Sequence, residues 1–505
     1  MYAIEMKHIS KRFGGMQAND DVTFCVKQGE IHSLLGENGA GKTTLMNILF
    51  GMYRADEGTV CLSGREVRIE SPTDAIANGI SMVHQHFMQV GALTVAENVV
   101  LGCEPVRGLL FDRERAFREV EEISEKYHLK VDAREKVENL SVGIRQRVEI
   151  LKALYRNSSI LILDEPTAVL TPQEVTDLFL VLRKLKEDGK SIVIITHKLK
   201  ETMSVADQIT VLRKGKIITS LPISEVDEEK LAELMVGRRV LFSIEKKPLM
   251  EERPVILSLR DVTVRKNELP ALDGLSLEVR KGEILGIAGV EGNGQTELIE
   301  VITGLQKPDG GTMLYMGNPV LKPTARKMLD MHVGHIPEDR GKRGLIRNFT
   351  VWESIIQGYQ NLSAYVTRLG ILRTGAIKKM AAECIQKYDI RCDGIDQTVG
   401  SLSGGNQQKV IIVRVLMHEQ EIVVAAQPTR GVDIGAIEYI HSQLMKLRDE
   451  GKAVILISAD LEEIMKLSDD IAVLYEGKIV AHKKNEEFTE NMLGSYMLGQ
   501  LSDIA

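Results

Sequence analysis

The sequence predicts an α/β fold on a mostly parallel sheet, built twice in one chain. Three observations predict it. The chain repeats itself: ANDDVTFCVKQGEIHSLLGENGAGKTTL begins at Ala18 and ALDGLSLEVRKGEILGIAGVEGNGQTEL at Ala271, an offset of 253. LSVGIRQRV at Leu140 and LSGGNQQKV at Leu402 are offset by 262, so the second copy carries nine extra residues between its early and late segments. A period this long marks duplicated domains, because solenoid repeats run to about 50 residues. Within each copy, short apolar runs such as ILIL from Ile160 and AVILI from Ala453 read as buried parallel strands. These runs alternate with charged, helical stretches.

The copies divide the 505 residues into 1–240 and 255–505, joined by a short charged linker, 241–254, that contains Pro248 and Pro254. At 44% hydrophobic and 27% charged, the composition is that of globular protein, and each copy is long enough to bury a core. The formal charge of −7, without a basic tail, argues against a nucleic-acid partner. Five cysteines, Cys25, Cys61, Cys103, Cys384 and Cys392, form no CxxC, which fits a reduced cytosolic chain without a disulfide framework or structural zinc. The start MYAIEMKHIS lacks a signal-peptide core, and no apolar run approaches the ~18 residues of a membrane helix. Work at a membrane would therefore go through partners.

The first copy carries the chemistry. Gly36-Glu37-Asn38-Gly39-Ala40-Gly41-Lys42-Thr43 matches G-x-x-x-x-G-K-[ST], between an apolar strand (IHSLL) and a helical run beginning TTL at Thr43 and Thr44. Glycines let backbone N–H groups turn towards phosphate oxygens, and the helix N-terminus adds partial positive charge. Lys42 is placed for the β- and γ-phosphates, and the Thr43 hydroxyl for Mg²⁺. LILDEPT ends a strand at Asp164 and Glu165, 122 residues beyond Lys42. Asp164 suits the magnesium shell and Glu165 suits a general base for the attacking water. A further strand, SIVIIT, ends at His197, in reach of a γ-phosphate; alone it would read as a polar strand end. His84 and His86 alternate as two metal ligands might, but no third ligand is near in sequence.

These pieces, with LSVGIRQRVEI from Leu140, resemble the ATP-binding cassette (ABC) family over essentially the whole chain, twice. The resemblance implies two P-loop cassettes, each a mostly parallel sheet core with an antiparallel β region and a helical signature subdomain. It implies ATP and Mg²⁺ as ligands. It makes Gln85 the glutamine that links magnesium to membrane subunits, and Phe13 (in KRFGG) the aromatic that stacks on adenine. It also implies that the signature of one cassette closes over ATP held by the P-loop of another.

The second copy has lost this chemistry. Lys42 corresponds to Gln295, Gln85 to Glu338, Phe13 to Lys266, Asp164 to Ala426, Glu165 to Gln427 and His197 to Ala459. Its glycines Gly289, Gly292 and Gly294 remain. The signatures show the opposite asymmetry: Leu402-Ser403-Gly404-Gly405 is intact, whereas Leu140-Ser141-Val142-Gly143 places a side chain at the point of phosphate approach. TRGVD supplies Asp433 where TAVLT has Thr171. A head-to-tail pairing within the chain would put Ser403, Gly404, Gly405 and Asp433 with the site of Lys42, making one complete catalytic site. Random decay would not sort itself this way.

Fused cassettes with LSGGNQQK and a degenerate second P-loop resemble sugar-importer ATPases. MVHQHF, GVEGNGQTEL and AAQPTRGVDIGAIE look closest to the nucleoside-importer branch, although Arg145 stands where that branch usually has Gln. The resemblance implies a peripheral subunit at the cytoplasmic face of the cell membrane. Its partners would be two permeases and an extracytoplasmic solute-binding lipoprotein. A ribose- or galactose-type importer is the alternative. A ribosome- or DNA-acting twin cassette is a third class, disfavoured by the short linker, the single live site and the acidic balance.

Overall fold

The computed structural model describes residues 1–503 except 85–87, 109, 168–169, 171, 197, 239–245, 250–252, 267–268 and 291, with the side chains of residues 142, 172 and 173 also outside the description. The chain separates into two compact units, Met1–Val240 and Leu241–Ala505.

In the first unit a six-stranded sheet runs in the order Lys216–Pro222, Gln208–Arg213, Ile31–Leu35, Ser191–Ile195, Ile160–Asp164, Ile80–Val83. The first pair is antiparallel and every other pair is parallel. Ile31–Leu35, Ile160–Asp164 and Ser191–Ile195 are buried at every position, as runs covered on both faces must be. Because they are parallel and adjacent, their carboxyl ends lie at one edge of the sheet, where open α/β folds hold ligands. A four-stranded antiparallel sheet, ordered Met16–Lys27, Tyr2–Phe13, Glu57–Leu62, Arg65–Val67, packs against it through a core that includes Phe24, Leu34, Leu45 and Ile162. A second core, with Phe117, Val148, Leu151 and Leu163, joins the opposite face of the parallel sheet to the helices Val95–Val100, Arg113–Lys126 and Val142–Tyr155.

The second unit repeats this plan strand for strand. Its parallel sheet runs Val333–Ile336, Ile422–Ala426, Ala453–Ile457, Ile284–Ala288, Asp470–Tyr475, with antiparallel Lys478–Lys484 at the edge. The nine extra residues fall outside this frame. Three lie between Ile336 and Thr350, around the turn Arg340–Gly344; five lie between Ile356 and Thr374; one lies between Lys387 and Val399. Residues 246–247 are fastened to this second unit: Lys246 Nζ donates to the Ser468 carbonyl at 2.7 Å and Arg448 to the Lys247 carbonyl at 3.0 Å. The five cysteines are free thiols. Among the described residues no helix is long and apolar enough to cross a membrane, and no cluster of three His, Cys, Asp or Glu side chains is placed to hold a metal.

Candidate nucleotide site

Ile31–Leu35 delivers the chain into the loop 36–41, and the helix Lys42–Leu49 starts directly from it. Two glycines are indispensable to that turn. Gly36 has φ 155° and Gly41 φ 101°; a Cβ on Gly36 would run into the Leu212 carbonyl and one on Gly41 into the Ala18 carbonyl. Gly41 occupies the cap position, so the first N–H groups of the helix have no side-chain acceptor and face the loop. Asn19, fully buried, donates to the Gly41 carbonyl at 3.2 Å and ties the loop to the antiparallel sheet.

Lys42 is only 6% exposed. Its ammonium donates to the carbonyls of Gly36 at 2.6 Å and Glu37 at 3.0 Å, which holds it at the mouth of the loop. Burial pulls its pKa down, and Glu165, Asp164 and Glu37 oppose that pull. The Asp164 carboxyl is pushed up to about 6, by burial first and by Glu165 second, against Lys42 and a hydrogen bond from Thr43. The Thr43 hydroxyl and the Asp164 carboxylate thus meet beside the lysine. Two hard oxygen donors at the end of a phosphate-binding loop fit Mg²⁺, which takes one or two protein oxygens and completes its octahedron with phosphate and water.

Glu165 follows Asp164 with φ 47°, and its N–H donates to the Ile195 carbonyl at 2.9 Å. Beyond it, Glu201 accepts from Thr167 and from Lys198 Nζ, joining the two loops that leave neighbouring strands. Phe13 ends the strand Tyr2–Phe13 and meets Tyr53 edge-to-face, ring centres 5.2 Å apart. Gln85 and His197 lie outside the described residues. Of the positions expected for ATP and magnesium in this copy, the structure gathers Gly36, Glu37, Asn38, Gly39, Ala40, Gly41, Lys42, Thr43, Thr44, Asp164 and Glu165 at one sheet edge. Sequence reading missed Asn19 and Tyr53. The signal was there, since their counterparts in the second copy are Leu272 and Gln306.

The second copy keeps the backbone at the helix start and at the strand end, and fills the site. Gly294 has φ 108° against 101° at Gly41, and Gln427 has φ 46° against 47° at Glu165. Gln427 N–H still donates to the Ile457 carbonyl at 2.7 Å, but its side-chain oxygen accepts from Ala459 N–H at 3.1 Å. Gln295 lies against Gly289. Lys266, in the place of Phe13, reaches Glu297 in the first helical turn at 3.2 Å. That carboxylate, largely buried, stands where a phosphate would need positive charge. Glu338 is ion-paired to Arg430.

The intact signature begins the helix Gly404–Leu416, with Ser403 at the cap and its hydroxyl accepting from Asn406 at 2.9 Å. A Cβ on Gly405 would crowd Asp433, which caps the next helix by accepting from Ala436 N–H at 2.8 Å. Gly405 and Asp433 therefore sit together. In the first copy the carboxylate of Glu174 lies against Gly143, where a Cβ would stand.

The sequence model of the ABC transporter family matches residues 19–168 and again 272–430. The guanosine import ATP-binding protein NupO of Bacillus subtilis is 49% identical over 99% of this chain and 98% of its own length. The nucleoside import ATP-binding protein NupA of Lactococcus lactis is 47% identical over 98% of each. Among solved structures, the archaeal ribosome recycling factor aABCE1, in complex with the ribosomal stalk protein aP1, covers 94% of this chain and 90% of its own; its TM-score is 0.63 at 19% identity, a likeness of fold alone. With two family matches, full-length relatives and a phosphate loop set beside an Asp-Glu strand end, the chain belongs to the ABC transporter family, as an ATP-hydrolysing import subunit.

Proposed function

We propose that this chain powers nucleoside uptake by hydrolysing ATP at one site, that of the first copy. The observation that carries the nucleoside reading is full-length identity of 49% and 47% to guanosine and nucleoside import ATP-binding proteins, against 37% to a putative ribose/galactose/methyl galactoside import protein of Geobacillus kaustophilus. A glucose import ATP-binding protein of Haloferax volcanii, at 42%, favours a sugar as the second reading.

In the proposed site, the loop 36–41 and Lys42 hold the β- and γ-phosphates, and Phe13 stacks on the adenine. Thr43, Asp164 and Gln85 hold Mg²⁺, which when bound offsets phosphate charge. Glu165 takes a proton from water as the water oxygen bonds to the γ-phosphorus, and the bond from that phosphorus to the β–γ bridging oxygen breaks to release ADP. His197 contacts the γ-phosphate. Ser403, Gly404, Gly405 and Asp433 complete the site by the head-to-tail pairing that the motif asymmetry supports. The work is delivered through two permeases and an extracytoplasmic solute-binding protein, with this chain peripheral on the cytoplasmic face of the membrane.

Uptake of labelled compounds by a deletion strain tests the reading. Loss of purine nucleoside uptake at micromolar concentration, restored by the intact gene, is the expected result. Loss of ribose, galactose or glucose uptake with nucleoside uptake intact would move the chain to the sugar reading.

A further inference from the structure

We propose that Tyr53 is a positioning residue for adenine recognition, holding the Phe13 ring in the orientation in which it stacks on the base. The inference rests on the proposed base-stacking role of Phe13 and adds a residue to it.

Phe13 stands at the end of a strand, just before the turn at Gly14 and Gly15, and is 40% exposed. A phenyl ring so placed turns freely unless something bears on it. Tyr53 bears on it: the rings meet at 72° with centres 5.2 Å apart, the edge-to-face geometry that aromatic quadrupoles favour. Lys11 Nζ sits 5.6 Å from the Phe13 ring centre and is itself held by Asp56 at 2.7 Å. Tyr53 is 41% exposed, so the pair is an open aromatic corner and not part of the core.

Tyr53 is also joined to the phosphate end of the site. It lies in the turn that closes the helix Lys42–Leu49, where Met52 and Tyr53 both donate to the Asn47 carbonyl, at 2.8 and 3.2 Å. The turn is clamped to the end of the Phe13 strand. Asp56 N–H donates to the Ser10 carbonyl at 2.8 Å, and the Asp56 carboxylate accepts from Arg12 N–H at 2.7 Å. One rigid connection therefore runs from Lys42 through the helix to the ring that orients Phe13.

The second copy provides an internal control. Its turn is the same: Leu305 and Gln306 donate to the Glu300 carbonyl at 2.8 and 3.0 Å. Its clamp is the same: Asp309 N–H donates to Thr263 at 2.8 Å and its carboxylate accepts from Arg265 N–H at 2.7 Å. Yet both aromatics are gone, replaced by Lys266 and Gln306. The fold thus does not require the pair. The pair is present in the copy that keeps its phosphate-binding lysine and absent from the copy that has lost it, so Phe13 and Tyr53 act as one device for the nucleotide.

The test measures affinity of the full-length chain for ATP and for inorganic tripolyphosphate, which has no base. The variants are Tyr53→Gln, a residue this turn accepts in the second copy, Tyr53→Phe, Phe13→Leu, and the double variant Phe13→Leu/Tyr53→Gln. Tyr53→Gln should weaken ATP about two- to tenfold, the range of an aromatic pair, and leave tripolyphosphate unchanged. Tyr53→Phe should restore ATP affinity, and the double variant should be no weaker than Phe13→Leu alone. In steady-state hydrolysis, Tyr53→Gln should raise KM for ATP by more than it lowers kcat. If Phe13→Leu weakens ATP and Tyr53→Gln does not, the inference fails and base stacking by Phe13 stands. Equal weakening of tripolyphosphate would make Tyr53 a support of the phosphate loop and would also overturn it. If Phe13→Leu leaves ATP affinity unchanged, the base-stacking reading itself falls.

Discussion

Glu165 and Gln427 share a left-handed backbone, φ 47° and 46°, although only the first has a carboxylate to offer water. Such a conformation costs a non-glycine residue about 1–3 kcal/mol and often marks function. Here it marks the fold, because in both copies the strained N–H donates to the carbonyl at the end of the neighbouring strand. The second copy differs from the first in its side chains at Gln295, Ala426, Gln427 and Ala459, with the left-handed backbone at Gly294 and Gln427 kept. Lys42→Ala and Glu165→Gln should each lower ATP turnover about a hundredfold or more, because charge placement supplies most of phosphoryl-transfer catalysis. Gln295→Lys should add no measurable hydrolysis to Lys42→Ala, since Ala426, Gln427 and Ala459 remain and Glu297 holds the first turn. Phosphate release by the assembled transporter at saturating ATP checks both; near-normal turnover in Lys42→Ala would show that hydrolysis does not depend on this lysine.

At the scale of elements, two imidazoles lie by the strand Val333–Ile336 and the helix Gly404–Leu416 where the first unit has Met82 and Arg156. His335 takes the place of Met82, and His418, just past the helix, stacks on Tyr359 with ring centres 3.5 Å apart. The Nε2 atoms of both histidines are sealed from water without a protein hydrogen-bond partner among the described residues. Arg414, also buried, donates to the Gly344 carbonyl at 2.8 Å and to Gln357 at 3.1 Å. Burial first, and Arg414 as well, pushes the pKa of each imidazole down to about 4. The unfolded chain takes up these protons near pH 6.5, so the folded state is favoured above that pH and loses stability as pH falls through 6.5 towards 4. The slope is about 1.4 kcal/mol per pH unit for each group. Melting of His335→Met, which installs the residue of the first copy, should fall less steeply between pH 7 and pH 5 than melting of the wild-type chain. An unchanged slope would show that His335 does not carry this dependence.

What could be read beforehand divides along the same scales. The phosphate loop, the Asp-Glu strand end and the signatures are contiguous motifs, so their residue types and spacing carry the chemistry and place them on strand, loop and helix. Asn19, Tyr53 and Glu174 act across gaps of tens of residues, at points where separate strands and helices meet. The pairing of Lys266 with Glu297 depends on a strand end folding back over a helix start. The nine added residues were countable, but their division among three loops follows from where strands and helices begin and end.

For the whole molecule, the two signatures provide the sharpest test, because they separate a chain of two independent cassettes from one built around a single shared site. Ser141 belongs to the unit whose phosphate loop keeps its lysine, so independence makes it the serine that matters. Two local observations point the other way. Gly405 is packed beside Asp433 at a helix start that keeps its glycines, whereas Gly143 is covered by the Glu174 carboxylate, which would repel a phosphate. Under the proposed pairing, Ser403→Arg puts a long side chain against the γ-phosphate held by Lys42, and hydrolysis and uptake both collapse, by about a hundredfold or more. Ser141→Arg should leave most of the hydrolysis, because the loop it would serve has Gln295 in place of lysine. Both variants are measured in the assembled transporter at saturating ATP, with the purified chain's melting temperature as the check on folding. Equal losses in two well-folded variants would refute the asymmetry, and a greater loss at Ser141 would assign the live site to the signature of its own unit.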